Sequence, residues 1–254
     1  RNATVVRGTG ADANVTLADR DYDPDGNLST NLIAYWKFYE ATSSSNRSDY
    51  RGNNNLATNS TITNINGTRE GAANFTASRI QFFNMSDNAN MSTGNIDFTI
   101  AAWAYLDSLG VERAIAAKRG GGANYEWELI VTSGNTLRFD IFDGVTEKQA
   151  AWSSTASSGT WYYVVAWHDS AADTVNIQVN NDQLVSTATA TVAPSDGTTS
   201  FTVGSYNNAA YWDGRIDEVA FWKRILTQRE RDYLYNGTNV SSYPYVMANT
   251  FKPY

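Results

Sequence analysis

The run Asp19-Arg20-Asp21-Tyr22-Asp23-Pro24-Asp25-Gly26-Asn27 carries the sharpest local chemistry in the chain. Carboxylates at Asp21, Asp23 and Asp25 alternate along it, Gly26 makes the turn, and Asn27 follows with a further oxygen. Such a loop suits Ca2+, which takes roughly 6–8 oxygen ligands. In a calcium-binding loop of this spacing a bidentate Glu would stand where Leu32 is found, so the remaining ligands would come from elsewhere or from water. Asp21, Asp23, Asp25 and Asn27 are therefore a first metal candidate, with a solvated acidic linker as the plain alternative.

Catalytic chemistry is less well provided for. The chain has one His and no Cys, which removes cysteine nucleophiles and the usual His/Cys zinc cages. Any Ser-His-Asp triad would run through His168, which reads as a surface or turn residue at a strand end. Glycoside hydrolysis needs two carboxylates about 5–9 Å apart. Glu126 and Glu128 would share a strand face at roughly 6–7 Å, and a solvated strand face is the expected reading. No catalytic residue is assigned.

Loop aromatics offer a different chemistry, because a ring face stacks on the C–H face of a sugar. Tyr211 and Trp212 lie in the loop Asn207–Gly214, Trp127 follows the flexible Gly120-Gly121-Gly122, and Trp152 ends a strand. These four are the carbohydrate-binding candidates. Their alternative is core filling, the usual place of large rings in a β-sandwich.

Those residues need a frame, and the pattern of the chain supplies one. Val175, Ile177 and Val179 alternate with Asn176, Gln178 and Asn180, as in a half-buried strand. Leu137, Phe139 and Ile141 alternate with Arg138 and Asp140, and Phe98, Ile100, Ala102, Ala104 and Leu106 line one face of a longer strand. Trp161–Trp167 is nearly all apolar, as in a strand covered on both sides. Further strands are expected over 32–40, 73–83, 114–118, 125–132, 147–153, 183–191, 201–206 and 214–224. Thr227-Gln228-Arg229-Glu230 reads as a capping box opening a helix that Gly237 would end. Short strands and one late helix predict an all-β jelly-roll sandwich of two antiparallel sheets with one short C-terminal helix. The expected organisation is an N-terminal extension or linker over 1–31, a domain over 32–238 and a C-terminal tail or docking segment over 239–254.

Charge narrows the partners. Lys plus Arg is 19 against 26 for Asp plus Glu, a net charge of −7. An acidic chain lacks the clustered cations that bind nucleic acid. No apolar run reaches the roughly 18 residues that would suggest a transmembrane helix, so neither nucleic acid nor membrane insertion is expected. The first residue is Arg1, which fits a processed or a trimmed product.

Five segments in order resemble the laminin-G-like, concanavalin A-like lectin jelly rolls. They are Leu32–Phe38 as the opening strand, Asp49-Tyr50-Arg51-Gly52-Asn53-Asn54-Asn55 as the turn, and Asp97–Ala104, Gly159–Val165 and Gly214–Val219 as later strands, with Leu226-Thr227 opening the helix. The resemblance implies that fold over 32–236. It also implies a second structural calcium position at Asp49, Asn53, Asn55 and Asp217, although Arg51 stands where the family usually has Ser. Catalytic relatives carry Glu-x-Asp-x-Glu, whereas this strand reads Glu126-Trp127-Glu128-Leu129-Ile130.

Eleven Asn-x-Ser/Thr sequons occur, at Asn2, Asn14, Asn27, Asn46, Asn59, Asn66, Asn74, Asn84, Asn90, Asn236 and Asn239. They are glycosylation candidates if the source N-glycosylates. The combined expectation is a non-catalytic, calcium-stabilised recognition module at an extracellular, cell or virion surface, binding glycans or cell-surface polysaccharide. The alternative is an architectural subunit of a filament, virion or surface layer that assembles with copies of itself through its terminal arms. A glycoside hydrolase is the remote alternative.

Overall fold

The computed structural model describes residues 28–236 apart from 43, 69–70, 122–123 and 189–191. The acidic loop, residues 1–27 of the N-terminal extension, the C-terminal tail and the sequons at Asn2, Asn14, Asn27 and Asn239 lie outside the described residues. In chain order the strands are β1 (Leu32–Trp36), β2 (Asn46–Arg47), β3 (Leu56–Thr58), β4 (Thr63–Asn66), β5 (Gly71–Phe75), β6 (Phe83–Met85), β7 (Phe98–Leu106) and β8 (Arg113–Arg119). There follow β9 (Tyr125–Val131), β10 (Leu137–Phe142), β11 (Glu147–Ala151), β12 (Trp161–Asp169), β13 (Thr174–Val179), β14 (Val185–Ala188), β15 (Phe201–Val203) and β16 (Gly214–Trp222), then helix α1 (Gln228–Asn236).

These strands form two antiparallel eight-stranded sheets. Sheet A runs β14-β13-β12-β7-β16-β5-β4 with β1 also on β16, and sheet B runs β11-β10-β9-β8-β15-β6-β3-β2. The main core lies between them. Phe98, Ile100, Ala102, Ala104 and Leu106 of β7 all enter it, as their alternation requires. Facing them from sheet B are Leu129, Val131, Leu137, Phe139 and Ile141.

A second core covers the outer face of sheet A. Leu226 and Leu234 pack there on Ala101, Tyr163, Val165, Trp167 and Trp222. This explains the unbroken apolar run in β12: Tyr162, Val164 and Ala166 face the main core, while Tyr163, Val165 and Trp167 face the layer that includes α1. The capping box holds α1 in place. Thr227 Oγ1 accepts from Glu230 N at 3.2 Å, and Glu230 Oε2 accepts from Thr227 N at 2.8 Å.

The span expected as one strand over 73–83 is broken. β5 ends at Phe75, a 3-10 turn covers Ala77–Arg79, and Ile80 takes a left-handed φ of 59° that redirects the chain into β6. β2, β3 and β4 carry no clear apolar alternation and are defined by their neighbours. Leu28 already belongs to the packed body: it is buried, and its carbonyl accepts from Trp222 Nε1 at 2.8 Å. Gly214 opens β16 with φ 133°, and a Cβ there would lie 2.1 Å from Tyr105 O, so only glycine fits.

Candidate functional site

Residues directly opposite one another in a ladder share a face, and in sheet B the registers connect into one row. Asn46 faces Ala57, Ala57 faces Asn84, Asn84 faces Thr202, Thr202 faces Ala117, Ala117 faces Glu128, Glu128 faces Asp140, and Asp140 faces Gln149. The neighbouring core residues Phe83, Val203, Leu129, Phe139 and Ile141 point between the sheets, so this row lies on the outer face of sheet B. Its ends are exposed, while Glu128 and Asp140, next to the Gln149 end, are fully buried.

Side chains from the same face bury them. Arg119 Nη1 sits 2.5 Å from both Glu128 oxygens, and Arg138 approaches Asp140 Oδ2 through Nε at 2.9 Å and Nη2 at 2.7 Å. The Arg119 guanidinium lies between two rings, with Cζ 4.6 Å from the Tyr125 centroid and 4.1 Å from that of Tyr206. Phe142 stacks on Tyr125 at 5.0 Å. Burial pushes both carboxyl groups up, Asp140 to about 8, against the pull of their arginines. The two carboxyls lie within hydrogen-bond reach of one another. Asp140 Oδ1 meets no donor among the described residues, as expected where two acceptors face each other.

Arg119 also lines a cleft on this face. Phe82, Asn84, Gly120, Thr199, Ser200, Thr202, Ser205, Asn207 and Asn208 complete its wall, around a volume of 220 Å³. Asn207 and Asn208 stand exposed at the rim, on a tight turn closed by Tyr206 and Ala209. Both have left-handed φ, 44° and 55°, which Asn tolerates better than most residues. Phe82 at one side stacks with Tyr211 at 6.3 Å and 28°.

The structure distributes the sequence candidates unevenly. Tyr211 is half-buried beside the cleft through Phe82, with its carbonyl held by Arg113. Trp212 and Trp127 are corrected: both are fully buried and present no face to a ligand. Trp127 lies in the main core, parallel to Phe221 at 6.2 Å and 8°. Trp212 is in the same core, with Nε1 donating to Arg215 O at 3.3 Å. Trp152 is half-buried at the other end of the sheet, edge-on to Tyr162 and 3.4 Å from Asp182 Oδ2.

Glu126 and Glu128 do not share a solvated face. Lys118 faces Trp127 but Arg119 faces Tyr125, so Glu126 is an extra residue in β9. This bulge breaks the alternation and leaves both carboxylates buried among different partners. His168 is likewise buried rather than at the surface, its Nδ1 2.9 Å from Ile96 O and its ring against Phe98.

The Asp49 carboxylate organises its own turn. Oδ1 accepts from the N–H groups of Tyr35 and Arg51, and Oδ2 from the N–H groups of Asn53 and Asn54 and from Asn54 Nδ2. Asn55 Oδ1 accepts from Asp49 N, and Asn53 Nδ2 reaches Arg51 O. Asp217 Oδ2 accepts from Thr68 N and Oγ1 in another loop. A carboxylate offers about four lone-pair sites, so Asp49 has none left, and this donor set does not fit a cation. Among the described residues no group of three or more His, Asp or Glu could hold a metal ion.

Of the described sequons, Asn46, Asn66 and Asn90 are exposed. Asn59 is exposed too, but its amide is bonded to Ile80 O and Phe82 N. Asn74 is partly buried and bonds Thr63, and Asn84 lines the cleft. Asn236 ends α1.

The sequence profile described as the concanavalin A-like lectin/glucanases superfamily matches residues 78–230, and the chain belongs to that superfamily. Among solved structures it is similar to the binding domain of Paraclostridial Mosquitocidal Protein 1, with TM-score 0.67 and 18% identity over 83% of this chain and 53% of that one. It is also similar to domain 4 of AbnA, an extracellular GH43 arabinanase from Geobacillus stearothermophilus in complex with arabinotriose. That likeness has TM-score 0.64 and 16% identity and covers 80% of this chain and 98% of that domain. A third is the binding domain of Botulinum Neurotoxin DC in complex with SialylT, with TM-score 0.56 and 13% identity over 84% of this chain and 52% of that one. The chain thus spans about half the length of the toxin domains it matches. Identities this low show the fold alone. No curated protein matches. No helix among the described residues is long and apolar enough to cross a membrane.

Sequence reasoning missed Phe82, Arg119 and Thr202, and it named Asn84 only as a sequon. The one local signal was the loop 207–214, whose Asn-Asn pair reaches the rim. The rest come together only when β6, β8 and β15 pair.

Proposed function

We propose that this chain is a non-catalytic carbohydrate-binding module that takes its glycan in the cleft on the outer face of sheet B. The observation that carries this reading is the lining: amides, hydroxyls and one guanidinium beside an aromatic ring. Asn84, Asn207 and Asn208 offer donors and acceptors together, Thr202 and Ser205 add hydroxyls, and Phe82 adds an apolar face. Arg119 is fixed in advance by Glu128 and its two ring neighbours, so little freedom is lost on binding. The ligands of the similar structures, arabinotriose and SialylT, support a glycan partner. The toxin and secreted-enzyme domains among them support action outside the cell.

A glycan array followed by calorimetry tests the proposal. The double variant Asn207→Ala/Asn208→Ala and the single variant Phe82→Ala should each weaken Kd about tenfold or more with the fold unchanged by circular dichroism. An array without a binder, or variants that bind as well as the parent, would overturn it.

A further inference from the structure

Between the sheets, at the end of β8, Lys118 is fully buried with its Nζ 2.6 Å from Asp87 Oδ1 and 2.8 Å from Glu126 Oε1. The bulge in β9 brings Glu126 there, on the side Lys118 shares with Trp127. Thr93 Oγ1 donates to Glu126 Oε2 at 2.8 Å, and Gly197 N donates to Oε1 at 3.2 Å, so the carboxylate is held from two further loops. Asp87, just after β6, is the one member with an outlet, its side chain 24% exposed. Burial raises the Glu126 carboxyl against the pull of Lys118 and Thr93, which suits a group that takes up and returns a proton. An amine fixed against a carboxyl has an effective concentration that can reach about 10⁵–10⁸ M, an advantage that free groups in water lack.

We propose that Lys118 and Asp87 condense into an intramolecular isopeptide bond, with Glu126 carrying the proton. Glu126 takes a proton from the Lys118 ammonium, and the freed amine nitrogen attacks Asp87 Cγ. A C–N bond forms, the departing oxygen receives two protons, one returned by Glu126 and one given up by the attacking nitrogen, the C–O bond breaks, and one water leaves through the Asp87 side. Ammonium and carboxylate become amide and water, so no oxidant or co-reactant is needed. The product ties β8 to the loop after β6 across 31 residues of sequence. The chain has no cysteine and therefore no disulfide route to a covalent tie.

The test is intact mass spectrometry and peptide mapping of the full chain made in a bacterial host that adds no glycans. The expected mass is one water below the sequence mass, with a branched peptide joining Lys118 to Asp87 and no tryptic cleavage at Lys118. Asp87→Asn should lose ammonia instead and reach the same cross-linked mass. Lys118→Arg and Glu126→Gln should keep their full sequence masses. Should either variant fail to fold, the parent peptide map still decides. A parent at full mass with Lys118 cleaved normally would overturn the proposal. So would loss of water without the branched peptide, since a succinimide at Asp87 loses the same water.

Discussion

The paired carboxyls Glu128 and Asp140 make stability depend on pH in a direction opposite to that of ordinary surface carboxylates. Asp140 is pushed from 3.8 to about 8, chiefly by burial. The folded chain therefore keeps a proton that the unfolded chain releases. The stability linked to that proton is fully present below pH 3.8 and is lost as pH rises through about 8. Within that window the slope is about 1.4 kcal/mol per pH unit, which sums to on the order of 6 kcal/mol. That is comparable to the whole stability of many domains. Asp140→Asn removes the effect while keeping the shape, because an amide can donate to Glu128 and accept from Arg138, much as the protonated acid does. Urea unfolding of both proteins at about pH 5 and about pH 9 measures the difference. The parent should lose stability with rising pH relative to the variant, and subtracting the two curves removes the distant groups common to both. Equal slopes would show that the pair carries no proton in this window and would refute the argument.

Trp127→Ala should cost about 3–5 kcal/mol in chemical denaturation and leave the glycan Kd of the folded protein unchanged, because the ring is buried in the main core; a selective loss of binding would restore it as a ligand platform. Thr227→Ala should destabilise by about 1 kcal/mol, read as a lower urea midpoint, since it removes the Thr227 Oγ1 acceptor from the first turn of α1. Calcium calorimetry on the full chain tests the expectation for the acidic loop: a binding heat that Asp21→Asn with Asp23→Asn and Asp25→Asn abolishes supports a site there, and a parent with no heat makes the loop a solvated linker. Asp49→Asn should lower Tm equally with and without calcium, because that carboxylate is occupied by turn N–H groups.

Local order was legible from the chain alone wherever cause and effect are neighbours in sequence. The apolar alternation of 98–106 and 137–141 placed those strands with the correct faces inward. The continuous apolar run at 161–167 told of a strand covered on both sides, and Thr227 with Glu230 marked the start of α1. A capping box and a period of two are each settled within a few residues. Five short segments in the right order were enough to reach the superfamily.

Tertiary structure alone decided what the polar strand residues do. Asp140 and Glu128 alternate like solvent-facing residues, yet they are buried, because Arg138 and Tyr125 from their own strands, Arg119 from β8 and Tyr206 from a distant turn close over them. One bulge in β9 sent Glu126 toward Lys118 and left Glu128 on the outer face, a separation that strict alternation would forbid. Trp127 and Trp212, placed in the sequence like ring platforms, fill the core, and the cleft comes instead from β6, β15 and the Asn207-Asn208 turn. Which side of a strand meets water is set by what packs against it, and that depends on how the strands pair and where a distant residue such as Tyr206 is brought, not on the period of the strand itself.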